Sequence, residues 1–233
     1  MGRASRGPRA PGLYRLLRAV LRPVVLLAVR PRVTGLEHLP ADGPAILCAN
    51  HLSNIDPVLV GVVVRRPVVY LGKREYFRGV LGWLFRSAGV VPVAREGGSA
   101  AQAALDRGVE VLRDGAVLGI YPEGSRSPDG RLYRGRTGPI RLAVRSGAPL
   151  VPVGITGTRE VMPPQAWLPR PRRVAVAIGP PMWIKGPPGA VDLRGQADAL
   201  MRRIAELSGQ ARVDAYARPA GSGPRQGPGS TSP

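Results

Sequence analysis

Residues 45–64 read AILCANHLSNIDPVLVGVVV. Two apolar runs flank a polar octet without a gap. The first run, AILCAN (45–50), has the length and composition of a buried strand. The second, PVLVGVVV (57–64), has the character of an apolar helix. The octet NHLSNIDP (50–57) therefore falls at a strand-to-helix turn, and in an open α/β sheet the turns at the carboxyl ends of strands line the binding crevice. The octet places His51, one of two histidines in the chain, five residues ahead of Asp56. Within one helix that spacing would point the two side chains to different faces, so a contact between them requires the loop to fold back. A neutral imidazole can take a proton from a hydroxyl near neutral pH, and a carboxylate on its other ring nitrogen steadies it. The plainer alternatives are a helix N-cap at Asp56 with Pro57 at the first helical position, and a hydrogen-bonded loop histidine. Ser53 then serves to cap the following turn.

The pattern around this octet repeats its alternation. Strand-like runs recur at PVVYLG, GVVPVA, AVLGIYP, PLVPVGIT and RVAVAIG. Helical patterns lie between them, at 78–89 (RGVLGWLFRSAG), 99–115 (SAAQAALDRGVEVLRDG) and 191–207 (VDLRGQADALMRRIAEL). In the second, Ser99 and Gln102 have the spacing of a capping box, and Gly115 suits the C-terminal turn. The expectation is an α/β fold with a mixed, largely parallel sheet flanked by helices. With 233 residues, one core is expected over 31–208. A basic arm without a core is expected at 1–11, and a disordered tail at 209–233, where periodicity gives way to Gly, Pro and Ser.

Residues 12–30 form an amphipathic helix candidate. Leu13, Leu16, Leu17, Val20 and Leu21 recur near helical spacing, with Arg15, Arg18 and Arg22 off that stripe; Pro23 is expected to kink or split it. The apolar stretch PVVLLAV is far shorter than the roughly 20 residues of a spanning helix. A helix lying in a membrane interface is the functional expectation, and a helix packed on the domain is the alternative.

Charge supports a polyanionic partner. The chain has 34 Lys+Arg against 15 Asp+Glu, a formal net of +19. An anionic membrane or a phosphate-rich substrate suits such a surface. Nucleic acid would suit it too, but aromatics make up only 5% and no binding motif gathers the charge, so no nucleic-acid partner is expected. A single cysteine, Cys48, excludes an internal disulfide and a cysteine-rich zinc site; no metal is expected.

Three later stretches each deliver polar or turn residues at the end of an apolar run: GVVPVAR (89–95) with Arg95, YPEGSRS (121–127) with Glu123, Gly124 and Arg126, and APLVPVGIT (148–156) with an interior Pro152. Together they suggest a base beside a phosphate clamp. The ordered blocks NHLSNIDP, GVVPVAR, YPEGSRS and LVPV resemble those of the glycerolipid acyltransferases, specifically the 1-acylglycerol-3-phosphate acyltransferases. GLEHLPADGPAILCAN and GKREYF are similar to that family as well, and the resemblance runs over about residues 33–180.

The resemblance implies that His51 is the general base on an acceptor hydroxyl and that Asp56 orients it. It implies acceptor binding by Glu123, Gly124, Ser125 and Arg126, with Arg126 and Arg95 at the phosphate. Lys73 and Glu75 are expected near the rim, Arg136 either joins the phosphate arginines or is a surface arginine, and Pro152 is expected to shape the site. Ser125 stands where the family usually has Thr, Tyr121 where Phe is common, and Pro92 where the second block often carries Phe. The implied activity is transfer of an acyl group from a thioester of coenzyme A or acyl carrier protein to lysophosphatidic acid, giving phosphatidic acid, without a cofactor. Another acceptor, such as glycerol-3-phosphate, a glycolipid or a lysophospholipid, and a water-using hydrolase are the alternatives. A peripheral protein at the cytoplasmic face of the cell membrane is the implied location.

Overall fold

The computed structural model describes residues 12–73, 90–93, 98–163, 170–187 and 189–217. The helical pattern at 78–89, Glu75, Arg95, the arm at 1–11 and the end of the tail lie outside them. A seven-stranded sheet runs in the order β1-β8-β7-β2-β5-β3-β4. Its strands are β1 (Arg32–Thr34), β2 (Ala45–Ala49), β3 (Val68–Lys73), β4 (Val90–Val93), β5 (Val117–Ile120), β7 (Leu150–Thr156) and β8 (Ala175–Ile178). The run β7-β2-β5-β3-β4 is parallel throughout, whereas β8 pairs antiparallel to β7 and carries β1 alongside it. The sheet is thus mixed and largely parallel, as its sequence pattern predicts.

β2 is buried at all five positions, because helices cover both faces. Ala45, Leu47 and Ala49 face a layer formed by α1 (Gly12–Val29) and α2 (Asp56–Val63), while Ile46 and Cys48 face α3 (Gly98–Arg113), α4 (Gly138–Ser146) and α6 (Leu193–Ser208). Fully buried Ile46, Leu47, Leu118, Ile140, Leu150 and Ile204 each stabilise the fold by about 1.5–3 kcal/mol through removal of apolar surface from water. Cys48 is one of these core residues; burial pushes its thiol far up, so it stays protonated.

Several local expectations are corrected. Gln102 turns forward, its amide donating to Asp106 Oδ1 at 3.0 Å, and Ser99 lies inside α3 and not at its N-cap. Gly115 does close that helix, at φ 76°. Pro23 sits within an unbroken α1. The amphipathic stretch 138–146 forms α4, opened by a proline in its first turn and closed by Gly147 at φ 69°, and the short α5 (Thr158–Val161) follows β7. The chain after α6 is not lost to the fold at 209. Arg212–Val213 forms β9, which pairs with β6 (Leu132–Tyr133), and Ala217 is buried.

Sheet order positions the site. β2 lies between β5 and β7 with Cys48 opposite both Ile120 and Pro152. His51 and Glu123 each lie three residues beyond the paired Cys48 and Ile120, so the strand ends bring both loops to one place.

Candidate active site

The octet folds back tightly. Asp56 opens α2 but does not cap it; its carboxylate points into the preceding loop. Oδ2 accepts from the backbone N–H of Leu52 at 2.7 Å and of Ser53 at 2.8 Å, and lies 2.8 Å from His51 Nδ1. The carboxylate is fully buried while the imidazole keeps 17% exposure. Because Oδ2 is an acceptor to two amides, Nδ1 is the donor of the third bond, and the ring's lone pair falls on Nε2. Ser53 caps nothing: its hydroxyl donates to the carbonyl of Met162 at 2.8 Å.

A file of rings supports the imidazole. Tyr121 stacks on His51 with centroids 4.0 Å apart and planes 18° apart, and Tyr70 follows Tyr121 at 6.0 Å. The Tyr70 ring lies across Gly119, where a Cβ would come within 2.3 Å of it. Burial pushes the Tyr121 phenol well above its ordinary range.

Glu123 braces the loops. Its Oε1 accepts from His51 N–H at 3.1 Å and its Oε2 from Tyr133 N–H at 2.9 Å. The side chain is fully buried, and that burial, against the two backbone bonds, pushes its carboxyl up to about 7. With each oxygen holding a backbone amide, Glu123 braces the two loops that frame the pocket. Ser127 N–H donates to His51 carbonyl at 2.7 Å, closing the loop on the other side.

Gly124 turns at φ 79°, and a Cβ there would lie 2.7 Å from Arg136 Nε. Arg136 therefore lies over the 123–126 turn. Ser125 has a buried hydroxyl without a hydrogen-bond partner among the described residues. Arg126, half-buried, stands between Ser125 and Ser127, and neither it nor Arg136 forms an ion pair among the described residues. Lys73 is the last residue of β3. Pro152 is elsewhere: it is buried inside β7, against Gly179, on a level with Cys48. It is a buried strand residue below the loops of the site. Among the described residues, no cluster of His, Cys, Asp or Glu could hold a metal.

Three residues carry parts of the site that their sequence context did not reveal. Buried Asn50 pairs with the backbone of Ile155, donating to its carbonyl at 2.8 Å and accepting from its amide at 2.7 Å, and donates to Gln210 Oε1 at 2.7 Å. Gln210 and Tyr216 sit in a stretch whose composition predicts no structure. Asn50 is legible afterwards as the polar end of a buried strand; the other two had no local signal.

A buried Asp holding a partly exposed His lies beside a tight glycine turn and two arginines that form no ion pair among the described residues. The acyltransferase family model matches residues 30–156. The chloroplastic 1-acyl-sn-glycerol-3-phosphate acyltransferase of Brassica napus is 34% identical over 133 residues, covering 56% of this chain and 38% of that protein. The 1-acyl-sn-glycerol-3-phosphate acyltransferase of Pseudomonas aeruginosa is 29% identical, covering 79% of this chain and 72% of that one. The chain thus spans well under half the length of the first of these relatives. The crystal structure of the 1-acyl-sn-glycerophosphate acyltransferase from Thermotoga maritima superposes with a TM-score of 0.68 at 27% identity, covering 83% of this chain and 80% of that one. The chain belongs to the acyltransferase family.

Proposed function

We infer that the protein transfers an acyl group from a thioester to the free hydroxyl of 1-acylglycerol-3-phosphate, giving phosphatidic acid. His51 Nε2 takes the hydroxyl proton as the oxygen attacks the thioester carbonyl. Asp56 holds the Nδ1–H tautomer and balances the imidazolium that forms. The tetrahedral intermediate collapses, the carbon–sulfur bond breaks, and the thiolate leaves with the proton from Nε2. Coenzyme A or acyl carrier protein is the thiol. Arg126 and Arg136 hold the phosphate, with Arg95 as a third cation, so that the hydroxyl lies beside His51. The chemistry requires no cofactor.

Both substrates are amphiphiles, so the enzyme works at a membrane surface. No described helix is long and apolar enough to cross a membrane. α1 instead supports an interfacial role. Leu16 and Leu27 are 61% and 74% exposed, and Val20 and Pro23 complete one outward stripe with them. Val25 and Val29 are buried about half a turn away. A helix packed on the domain by one side and apolar on the other fits a membrane interface, with the arginine-rich surface on anionic headgroups. α1 packs on α2, the helix that Asp56 opens, so the stripe brings the site to the bilayer. A peripheral protein on the cytoplasmic leaflet is the corresponding location.

The observation that carries this reading is the 2.8 Å His51–Asp56 contact beside the arginines of the 123–136 stretch. The test is thiol release from acyl-coenzyme A by purified protein with and without lysophosphatidic acid, beside His51→Ala. Acceptor-dependent release with phosphatidic acid as product, absent in a folded His51→Ala, is expected. Equal release without any acceptor would make the protein a thioesterase instead.

A further inference from the structure

The segment after α6 docks on the loops that build the site. Gln210 joins Asn50, the neighbour of His51, to the carbonyl of Gly130, the latter at 2.6 Å. The backbone amides of Leu132 and Arg134 donate to the carbonyls of Ala211 and Ala215, both at 2.9 Å. This pairing delivers Tyr216 to the two arginines of the YRGRTG stretch. The ring centroid lies 5.7 Å from the Arg134 guanidinium carbon and 5.5 Å from that of Arg136. Arg194, itself bonded to the carbonyl of Gly135 at 2.8 Å, reaches the Tyr216 hydroxyl at 3.4 Å. Arg136 in turn lies over Gly124, which has no Cβ to displace it.

Arg134 also pairs with Asp214 at 3.5 Å, whereas Arg136 has no anionic partner among the described residues; such an arginine has many rotamers, and ordering it on a ligand costs conformational entropy. An aromatic face attracts the guanidinium and removes part of that freedom beforehand. We propose that Tyr216 is a positioning residue for the acceptor: it holds Arg136, with Arg134 beside it, over the 123–126 turn, so the C-terminal segment forms part of the phosphate-binding wall. Tyr216 touches neither reacting atom and acts through the arginines. The proposal rests on the acceptor reading above.

The experiment measures steady-state rates of the full chain against lysophosphatidic acid at saturating acyl-coenzyme A, and the reverse. Tyr216→Ala should raise the acceptor KM about fivefold, the size of one exposed cation–π contact. The kcat and the thioester KM should stay within about twofold. Tyr216→Phe, which keeps the ring, should behave as wild type. In an Arg136→Gln background Tyr216→Ala should add little, because the two act as one unit. Tyr216→Leu replaces alanine if the smaller side chain loosens the segment, judged by thermal melting. An unchanged acceptor KM, an equal rise in both KM values, or a Phe variant as impaired as Ala overturns the proposal. A wild type that ignores lysophosphatidic acid brings down the acceptor reading and this proposal together; an active wild type with an insensitive Tyr216→Ala overturns this proposal alone.

Discussion

Tyr121 lies nearly flat on the imidazole of His51, centroid to centroid at 4.0 Å. The ring leaves the histidine one plane in which to sit, and Asp56 then selects the orientation within it. Removing the ring should let the imidazole swing, and misplacement by about 1 Å can cost about 100-fold in rate. Tyr121→Ala should therefore lose about 10- to 100-fold in kcat, while Tyr121→Phe should stay within about threefold. A Phe variant as slow as Ala would mean that the hydroxyl, and not the stacked face, does the positioning.

Asp56 binds two backbone amides and one imidazole through a single oxygen. Asparagine can present one oxygen to that cluster but cannot stabilise an imidazolium. Asp56→Asn should reduce kcat about 1,000-fold or more, with the acceptor KM little changed. Loss of charge-assisted bonds should also lower the unfolding free energy by about 1–3 kcal/mol. A kcat within tenfold of wild type would remove Asp56 from the catalytic pair.

Glu123 makes stability depend on pH. Its folded-state carboxyl is pushed up from 4.5 to about 7, chiefly by burial. The folded protein thus holds a proton that the unfolded chain releases between those values. Its contribution to stability is complete below about pH 4.5 and is lost as pH rises through about 7, a change of about 3 kcal/mol. Urea unfolding of wild type and Glu123→Gln across pH 4.5–8 isolates this group. Wild type should lose stability relative to the glutamine variant as pH rises. A constant difference would contradict the burial of an ionisable carboxyl here.

The outward stripe on α1 predicts membrane binding that is separable from chemistry. Leu16→Asp combined with Leu27→Asp should abolish most co-sedimentation with phosphatidylglycerol-containing vesicles. It should leave turnover of detergent-dispersed substrate within about twofold. Unchanged sedimentation would assign binding to the basic surface alone, and added salt would then release the protein.

The local parts of this protein are legible in its amino-acid order. The apolar run 45–49 with a polar octet and an apolar helix behind it specifies a strand, a turn and a helix. Within that unit His51 and Asp56 are close enough along the chain for one tight loop to join them. Helix ends such as Gly115 are legible for the same reason, since backbone sterics act over a few residues. The remaining contacts depend on which strands become neighbours. Glu123 reaches the amide of His51 only because β5 pairs beside β2. Pro152 comes opposite Cys48 only because β7 pairs beside β2. Arg136 reads as a surface arginine and Tyr216 as part of a tail, until β9 pairs with β6 and brings the ring to the guanidinium. These contacts link residues 72 to about 100 positions apart, and no periodicity or spacing encodes them; they follow from sheet order and burial, which the whole chain settles at once.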